Sequence, residues 1–416
     1  MVAESGRNKR FSCIIVCIFA RLSIKIDLSK GHFITSTISS ISFLLCFSCV
    51  PLIFVLGYAE CVQCLLDAGA DKEFVNTSSC TPLMVAIQCK KPDVVKLLLQ
   101  NGCSPNFRGG SQSTPIHVAS RAGNTDILDS LIEAGASINV RDSGGNTPLI
   151  LGALNSHYGI MKALIKAECY INMSNNEGLT ALHYACHKAR GFQVLLDAGA
   201  DPDVRDNHNI TPLFMAATEG FDGVVKALVE RNCDVNVPND SVKRTALHIL
   251  SYKGHTDCIN SLVYGGADIN ACDIYNRTPL WYAIQNKKIG VVRLLLKSYS
   301  HVDTFQCSAE STSEDCPAHL AFHLKLFDVV KFFMLTGYDQ CHVRNCLQSN
   351  DFSDWLKTNE DFDHWLTFGS GAQTLKQSCR KWIRHHLGKQ FYHHLQVLPV
   401  PEVLKDYLYI QELHDH

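Results

Sequence analysis

A tripeptide returns along this chain at an almost fixed interval, and that repetition constrains the fold more than any other feature. Thr81-Pro82-Leu83 is followed by Thr114-Pro115-Ile116, Thr147-Pro148-Leu149, Thr180-Ala181-Leu182, Thr211-Pro212-Leu213, Thr245-Ala246-Leu247 and Thr278-Pro279-Leu280. The threonines lie 33, 33, 33, 31, 34 and 33 residues apart. An eighth, degraded copy, Cys316-Pro317-Ala318-His319-Leu320-Ala321, comes 38 residues later, behind a polar insertion over 308–315. Self-similarity at this period means one supersecondary unit used repeatedly, each copy burying the apolar side of its neighbour.

The unit can be read residue by residue. Threonine caps a first helix through its hydroxyl, and proline at the next position supplies a fixed φ and lacks the amide that would go unpaired there. The following Leu and Ala turn into the stack. After a short turn, a second helix repeats apolar residues at helical spacing; in the fifth copy these are Val224, Val225, Leu228 and Val229. A glycine stop ends it, as in Ala68-Gly69-Ala70-Asp71, Ala134-Gly135-Ala136-Ser137, Ala198-Gly199-Ala200-Asp201 and Gly265-Gly266-Ala267-Asp268, where glycine takes a left-handed cap. The expected fold is all-α, two helices and a short hairpin or loop per unit. This unit resembles the ankyrin repeat.

A chain of 416 residues has room for two or three ordinary domains, but a solenoid grows its core linearly and escapes that rule. A net charge of −2 gives no bulk electrostatic case for nucleic acid or membrane binding. The 19 cysteines are scattered singly along helices, as in Cys89, Cys186, Cys233 and Cys258. That pattern suits a reduced intracellular protein whose thiols serve as small apolar groups. Cys46-x-x-Cys49 and Cys61-x-x-Cys64 have zinc-ligand spacing, but one pair sits in an apolar run and the other on a repeat helix. No metal or other cofactor is expected.

Residues 1–57 stand outside the pattern. Arg7, Lys9, Arg10, Arg21, Lys25 and Lys30 precede an uncharged stretch from Gly31 to Ala59, most apolar over 41–56. That length is close to the lower limit for a membrane span. Basic residues ahead of it would send a cysteine-rich solenoid to the outside, which argues against an anchor and for a cytoplasmic protein. Gly57-Tyr58 to Asp71 reads as the second half of a repeat, and Pro51 would interrupt the missing first helix. A replaced N-terminus from an alternative start is the favoured account. A membrane segment within 31–59 and an improvised hydrophobic cap are the other two. Residues 58–345 are then the repeats, one half and eight whole. His117, His183, His248 and His319 share one repeat position with Met84, Ile150, Phe214 and Trp281. A position that accepts either class reads as structural. The 31-residue interval suggests a shortened turn near Lys188 to Phe192.

From Cys346 the period is lost. Phe352, Trp355, Leu356, Phe362, Trp365 and Leu366 suit a helical cap, and Gly369-Ser370-Gly371 a joint, so that 346–371 closes the stack. Thr374-Leu375-Lys376-Gln377 opens a new helix with a capping box, and Leu375, Cys379, Trp382, Ile383, His386 and Leu387 share one of its sides. Leu398-Pro399-Val400-Pro401 follows, and Pro401 can start a last helix. Some forty residues this apolar cannot make a roomy core alone and call for a partner.

Residues 372–416 resemble the SOCS box, a small three-helix module, and the chain from about Tyr58 onward resembles the ankyrin-repeat and SOCS-box family. The resemblance implies that Thr374, Leu375, Cys379 and Ile383 insert into elongin C, which travels with elongin B. It implies that Leu398, Pro399, Val400 and Pro401 favour cullin-5 with its RING subunit. The protein would be a non-catalytic substrate-recognition subunit of a ubiquitin ligase, its repeats holding an unidentified protein target. No nucleophile–base pair or phosphate loop speaks for an enzyme, and the pairs His385-His386 and His393-His394 do not converge as zinc ligands would. A plain ankyrin scaffold, possibly membrane-tethered, is the alternative. In the repeat register, target-facing positions include Arg121, Asn155, Lys188, His208, Glu219, Tyr252, Lys253, Tyr275, Arg277 and Asn286. Tyr252 and Tyr275, on adjacent units, are the strongest anchors.

Overall fold

The computed structural model describes residues 59–67, 70–298 and 316–336. Among these residues the regular structure is helical throughout, with no strand. The 58 residues at the N-terminus, the insertion after Ser298 and everything beyond Thr336 lie outside them, and with them the readings made of 1–57, 346–371 and 372–416.

Seventeen α-helices are described. They are α1 Ala59–Asp67, α2 Pro82–Gln88, α3 Pro92–Gln100, α4 Pro115–Ala122, α5 Thr125–Glu133, α6 Pro148–Leu154, α7 Tyr158–Lys166, α8 Ala181–Lys188 and α9 Phe192–Asp197. The series continues with α10 Pro212–Glu219, α11 Asp222–Glu230, α12 Ala246–Lys253, α13 Thr256–Tyr264, α14 Pro279–Gln285, α15 Ile289–Lys297, α16 Pro317–His323 and α17 Phe327–Thr336. The chain divides into two compact units, Met1–Ala200 and Asp201–His416.

In the first unit the first helices pack in the order α2, α4, α6, α8, and the second helices in the order α1, α3, α5, α7, α9. In the second unit the rows are α10, α12, α14, α16 and α11, α13, α15, α17. The second helices explain the stacking. Six of them present one apolar stripe at i, i+1, i+4: Val94, Val95, Leu98; Ile127, Leu128, Leu131; Ile160, Met161, Leu164; Val224, Val225, Leu228; Cys258, Ile259, Leu262; Val291, Val292, Leu295. All are essentially without solvent contact. Burying each aliphatic side chain contributes about 1.5–3 kcal/mol, so three per helix, repeated, is the main cohesive force.

The threonine caps take two forms. Where the third helical residue is apolar, the hydroxyl accepts from its amide: Thr81 from Met84 at 3.4 Å, Thr147 from Ile150 at 3.3 Å, Thr211 from Phe214 at 3.2 Å and Thr278 from Trp281 at 3.4 Å. Where it is histidine, the ring takes over. Nδ1 of His117, His183 and His248 accepts the threonine backbone N–H at 3.1 Å in each case, with the hydroxyl at 2.8–2.9 Å. The imidazole thus fills the role that Glu or Gln plays in a capping box. His117 Nε2 and His248 Nε2 reach the carbonyls of Asn146 and Arg277 in the next repeat, at 3.1 Å each. A carbonyl only accepts, so these rings are neutral and carry their proton on Nε2.

Between repeats the chain makes a finger closed by an Asn or Asp five residues before the threonine. Asp142 Oδ1 accepts from Gly144 N and Asn146 N at 3.0 and 2.8 Å, and Asn76, Asn175, Asp206 and Asp273 repeat the pattern. Neighbouring fingers join through main-chain bonds, Ser143 N to Ser111 O and Asn176 N to Gly144 O in the first unit, Asp240 N to His208 O and Ile274 N to Val242 O in the second. Two fingers depart from this rule: Asn239 closes its finger from six residues before Thr245, and at Gly109 a Cβ would collide with the Ser79 carbonyl.

Gly135, Gly199 and Gly266 adopt φ of 82°, 85° and 83° at the ends of second helices, as the glycine stop requires. The 31-residue interval has a different origin from the one expected. The turn after α8 is not shortened; instead α9 has six residues where its counterparts have nine. Gly191 takes φ 74° just before α9, where any side chain would run into the Met161 thioether.

Candidate protein-binding face

The site is built from the fingers and the exposed ends of the first helices. Of the target-facing residues expected from the sequence, Arg121 lies in the first unit at the exposed end of α4, where its carbonyl accepts from His157 Nε2 at 3.1 Å. The other four, His208, Tyr252, Tyr275 and Arg277, lie in the second unit. His208 is exposed at the tip of a finger. Tyr252 and Tyr275 are 50 % and 51 % exposed, large apolar surfaces that the fold leaves unburied. Arg277 is half-buried, its guanidinium 5.2 Å from the Tyr275 ring and 4.1 Å from the Trp281 ring. Asn155, Lys188, Glu219 and Lys253 are exposed, and Asn286 is half-buried.

Tyr252, Tyr275 and Arg277 belong to one aromatic and charged cluster between α12 and α14. Its centre is Tyr282, a buried residue of α14. The Tyr282 hydroxyl donates to Asp273 Oδ2 at 2.6 Å and accepts from Arg244 Nη2 at 2.6 Å. Arg244 also lies over the Tyr282 ring at 4.6 Å, with its Nε 3.6 Å from Asp273 Oδ2, an ion pair longer than a hydrogen bond. Tyr252 and His248 meet the same ring edge-on at 6.4 and 5.9 Å.

The electrostatics follow from this packing. Burial raises the Tyr282 hydroxyl above its ordinary value, and the bond to Asp273 adds to that. Burial alone would raise Asp273 too, but bonds from Tyr282 and from the amides of Arg277 and Tyr275 hold it below the usual carboxylate range. Burial pushes His248 down to about 4, against the raising influence of the Arg277 carbonyl and Asp273. The cluster is therefore a charged anchor in which Asp273 accepts from the amides of Tyr275 and Arg277 and so fixes that finger, while Arg244 Nε makes no hydrogen bond. Among the described residues no three His, Cys, Asp or Glu side chains gather as a metal requires. Among the same residues no helix is long and apolar enough to cross a membrane.

Sequence reasoning missed Arg244, Asp273, Trp281 and Tyr282. Asp273 had a signal, the Asn or Asp that recurs five residues before most of the threonines. Trp281-Tyr282 stood out as the aromatic variant of the repeat start. Arg244 had none, because its partners are 29 and 38 residues away.

All eight residues assigned to elongin and cullin contacts, Thr374, Leu375, Cys379, Ile383, Leu398, Pro399, Val400 and Pro401, lie outside the described residues. Comparison with known families reaches them. The ankyrin-repeat model matches residues 44–109, 116–206, 156–239, 188–273, 213–306 and 247–345, well over half of the chain. The SOCS-box model matches residues 371–409.

Among curated proteins, the chain is 31 % identical over 159 residues to the B-cell lymphoma 3 protein homolog of Mus musculus, covering 37 % of this chain and 34 % of that one. It is 29 % identical over 121 residues to the putative E3 ubiquitin-protein ligase XBAT31 of Arabidopsis thaliana, covering 26 % of each. It is 36 % identical over 103 residues to the ankyrin repeat and KH domain-containing protein 1 of Homo sapiens, covering 24 % of this chain and 4 % of that one. The chain thus spans about a third or less of the length of these relatives. With a repeat solenoid matched along most of its length and a SOCS box matched behind it, the chain belongs to the ankyrin-repeat and SOCS-box family.

Proposed function

We propose that this protein is the substrate-recognition subunit of an elongin–cullin-5 RING ubiquitin ligase. The observation that carries the reading is the SOCS box matched at 371–409, directly behind ankyrin repeats matched to residue 345. The order matters: one module binds a target, and the other recruits the machinery that modifies it. The chain itself performs no chemistry, and ubiquitin is delivered by another subunit.

Within the box, Thr374, Leu375, Cys379 and Ile383 form the elongin C contact, with elongin B as its companion. Leu398-Pro399-Val400-Pro401 forms the cullin-5 contact. Leu375 and Cys379 are four residues apart in the sequence, a spacing that on a helix would let a single partner surface bury both. The tetrapeptide contains two prolines, whose rings restrict φ and would favour an extended contact. Arg121, His208, Tyr252, Tyr275 and Arg277 belong to the target face. Support for those five is their exposure at finger tips and helix ends, or, for Arg277, its stacking beside Tyr275.

The test separates the two contacts in the full-length protein. Leu375→Ala with Cys379→Phe removes elongin C and, with it, cullin-5, because the cullin also touches elongin C. Replacing 398–401 by alanine reduces cullin-5 recovery while elongin C still co-purifies. If the tetrapeptide variant loses elongin C as readily as the helix variant, the two-contact assignment is wrong.

A further inference from the structure

Among the described residues the row of repeats in the second unit stops at α16 and α17. Met161 on α7 shows where the second residue of an apolar stripe points: it lies against Gly191 of the repeat that follows. Val330 on α17 holds that stripe position, and it is 2 % exposed although no further repeat is described. The first-helix side of the same end is more open. His319, in the position of the fully buried His117 and His248, is only half-buried. The cover at this end therefore lies over α17 rather than α16.

A pair of cations stands beside it. Arg293 and Lys297, one turn apart on α15, are half-buried. The Arg293 guanidinium lies 4.9 Å from the Phe332 ring of α17, and its Nε is buried with no hydrogen-bond partner. Burial, and after it the charge of Arg293, lowers the Lys297 ammonium below its ordinary value. α15 contains no acidic residue. On the neighbouring α13 the same two levels hold Asn260 and Tyr264. Asp257 and Asp328 stand in the first turns of α13 and α17, about one turn from the level of Arg293, and among the described residues neither pairs with it. Two like charges partly out of water are unfavourable, and a carboxylate beside them offsets that cost.

We propose that residues 346–371 of this chain dock on α17, with apolar side chains over Val330 and carboxylates beside Arg293 and Lys297. The segment follows α17 after residues 337–345, which span up to about 30 Å when extended, enough to return along a helix of 10 residues. It carries Asp351, Asp354, Glu360, Asp361 and Asp363 against one lysine, Lys357, interleaved with Phe352, Trp355, Phe362 and Trp365. The box behind it has the wrong charge, with Lys376, Arg380, Lys381, Arg384 and Lys389 ahead of its first carboxylate, Glu402. The insertion 299–315 is acidic too, but over 308–315 its carboxylates alternate with Ser and Thr instead of aromatic residues. The SOCS-box match begins at residue 371, so a docked segment holds the box against the last repeat instead of on a loose tether. That consequence rests on the adaptor reading; the docking itself does not.

The experiment is hydrogen–deuterium exchange on the full-length protein, read peptide by peptide. Amides within 346–371 are expected to be protected, and Arg293→Glu with Lys297→Glu should speed their exchange about fivefold or more. Adding Glu360→Lys, Asp361→Lys and Asp363→Lys to that variant should restore protection, which a folding defect would not allow. Lys226→Glu, an exposed lysine at the level of Arg293 on α11, should change nothing.

Any of these results would overturn the proposal: no protection of 346–371 in the wild type, protection indifferent to the change at Arg293 and Lys297, no rescue, rescue by reversing Asp303, Glu310, Glu314 and Asp315 instead, or protection lost on dilution, the mark of a second copy. Elongin C capture on the same preparation keeps the two readings apart. Retained elongin C with an unprotected segment removes the docking and leaves the adaptor standing; a protected segment without elongin C does the reverse.

Discussion

At the scale of single residues, the capping histidines carry a consequence for pH. His248 is neutral in the fold, with its pKa lowered from 6.5 to about 4 by burial. The unfolded chain therefore takes up a proton below about pH 6.5 that the folded chain refuses, and stability falls as pH drops from about 6.5 towards 4. At 1.36 kcal/mol per pKa unit the loss approaches about 3 kcal/mol for this one side chain. Burial lowers His117 in the same direction. Methionine already occupies the homologous position at Met84, buried and capped by Thr81. His248→Met should flatten the dependence of the melting temperature on pH between about 7 and 4.5. Parallel curves for wild type and variant would show that the proton is not excluded.

The cysteines are explained by position as well. Cys103, Cys169 and Cys233 each follow the left-handed residue that ends a second helix, where Ala136, Ala200 and Ala267 stand in other repeats. The site wants a small side chain, and burial pushes the three thiols up to about 11, 11 and 12. At neutral pH a thiol-alkylating reagent should modify exposed Cys272 and spare these three until denaturant is added. Equal labelling in the native state would contradict their burial.

At the scale of elements, α9 tests how glycine works in two different ways. Gly199 has φ 85° and no atom near the place of a Cβ, so Gly199→Val carries only backbone strain, about 1–2 kcal/mol. Gly191 has φ 74° and the buried Met161 in the way, so Gly191→Ala adds an overpacking cost, for a total of about 2–4 kcal/mol. Urea unfolding should rank Gly191→Ala as at least as harmful as Gly199→Val, although alanine is the smaller replacement. The opposite order would mean that Met161 yields freely. The tripeptide, the glycine stop and the apolar stripes were legible because each acts within one repeat. The shortening of α9 was visible only as a missing length, since an interval does not say which element lost the residues. The hydrogen bonds that tie one repeat to the next were not legible. Asn106 Nδ2 reaches the Gly135 carbonyl, and Asn236 Nδ2 the Gly266 carbonyl, across 29 and 30 residues. A polar residue in a loop gives no hint of a partner that far along the chain.

At the scale of the whole molecule, the division of labour rests on two modules that the sequence keeps apart. Within each unit the repeats share one core pattern, while the residues at finger tips and helix ends vary in chemistry. Far-ultraviolet circular dichroism should accordingly be dominated by helix. The resemblance of the C-terminal residues to a SOCS box was legible in the sequence, and the family match covers 371–409. The target was not legible, because repeat proteins share a scaffold and differ in surface residues. The most direct test of the account is calorimetric titration of purified elongin B–elongin C into the full-length protein. The account predicts saturable one-to-one binding that Leu375→Ala with Cys379→Phe abolishes. Absence of heat for the wild-type protein, under conditions where its repeats melt cooperatively, would contradict the ligase assignment.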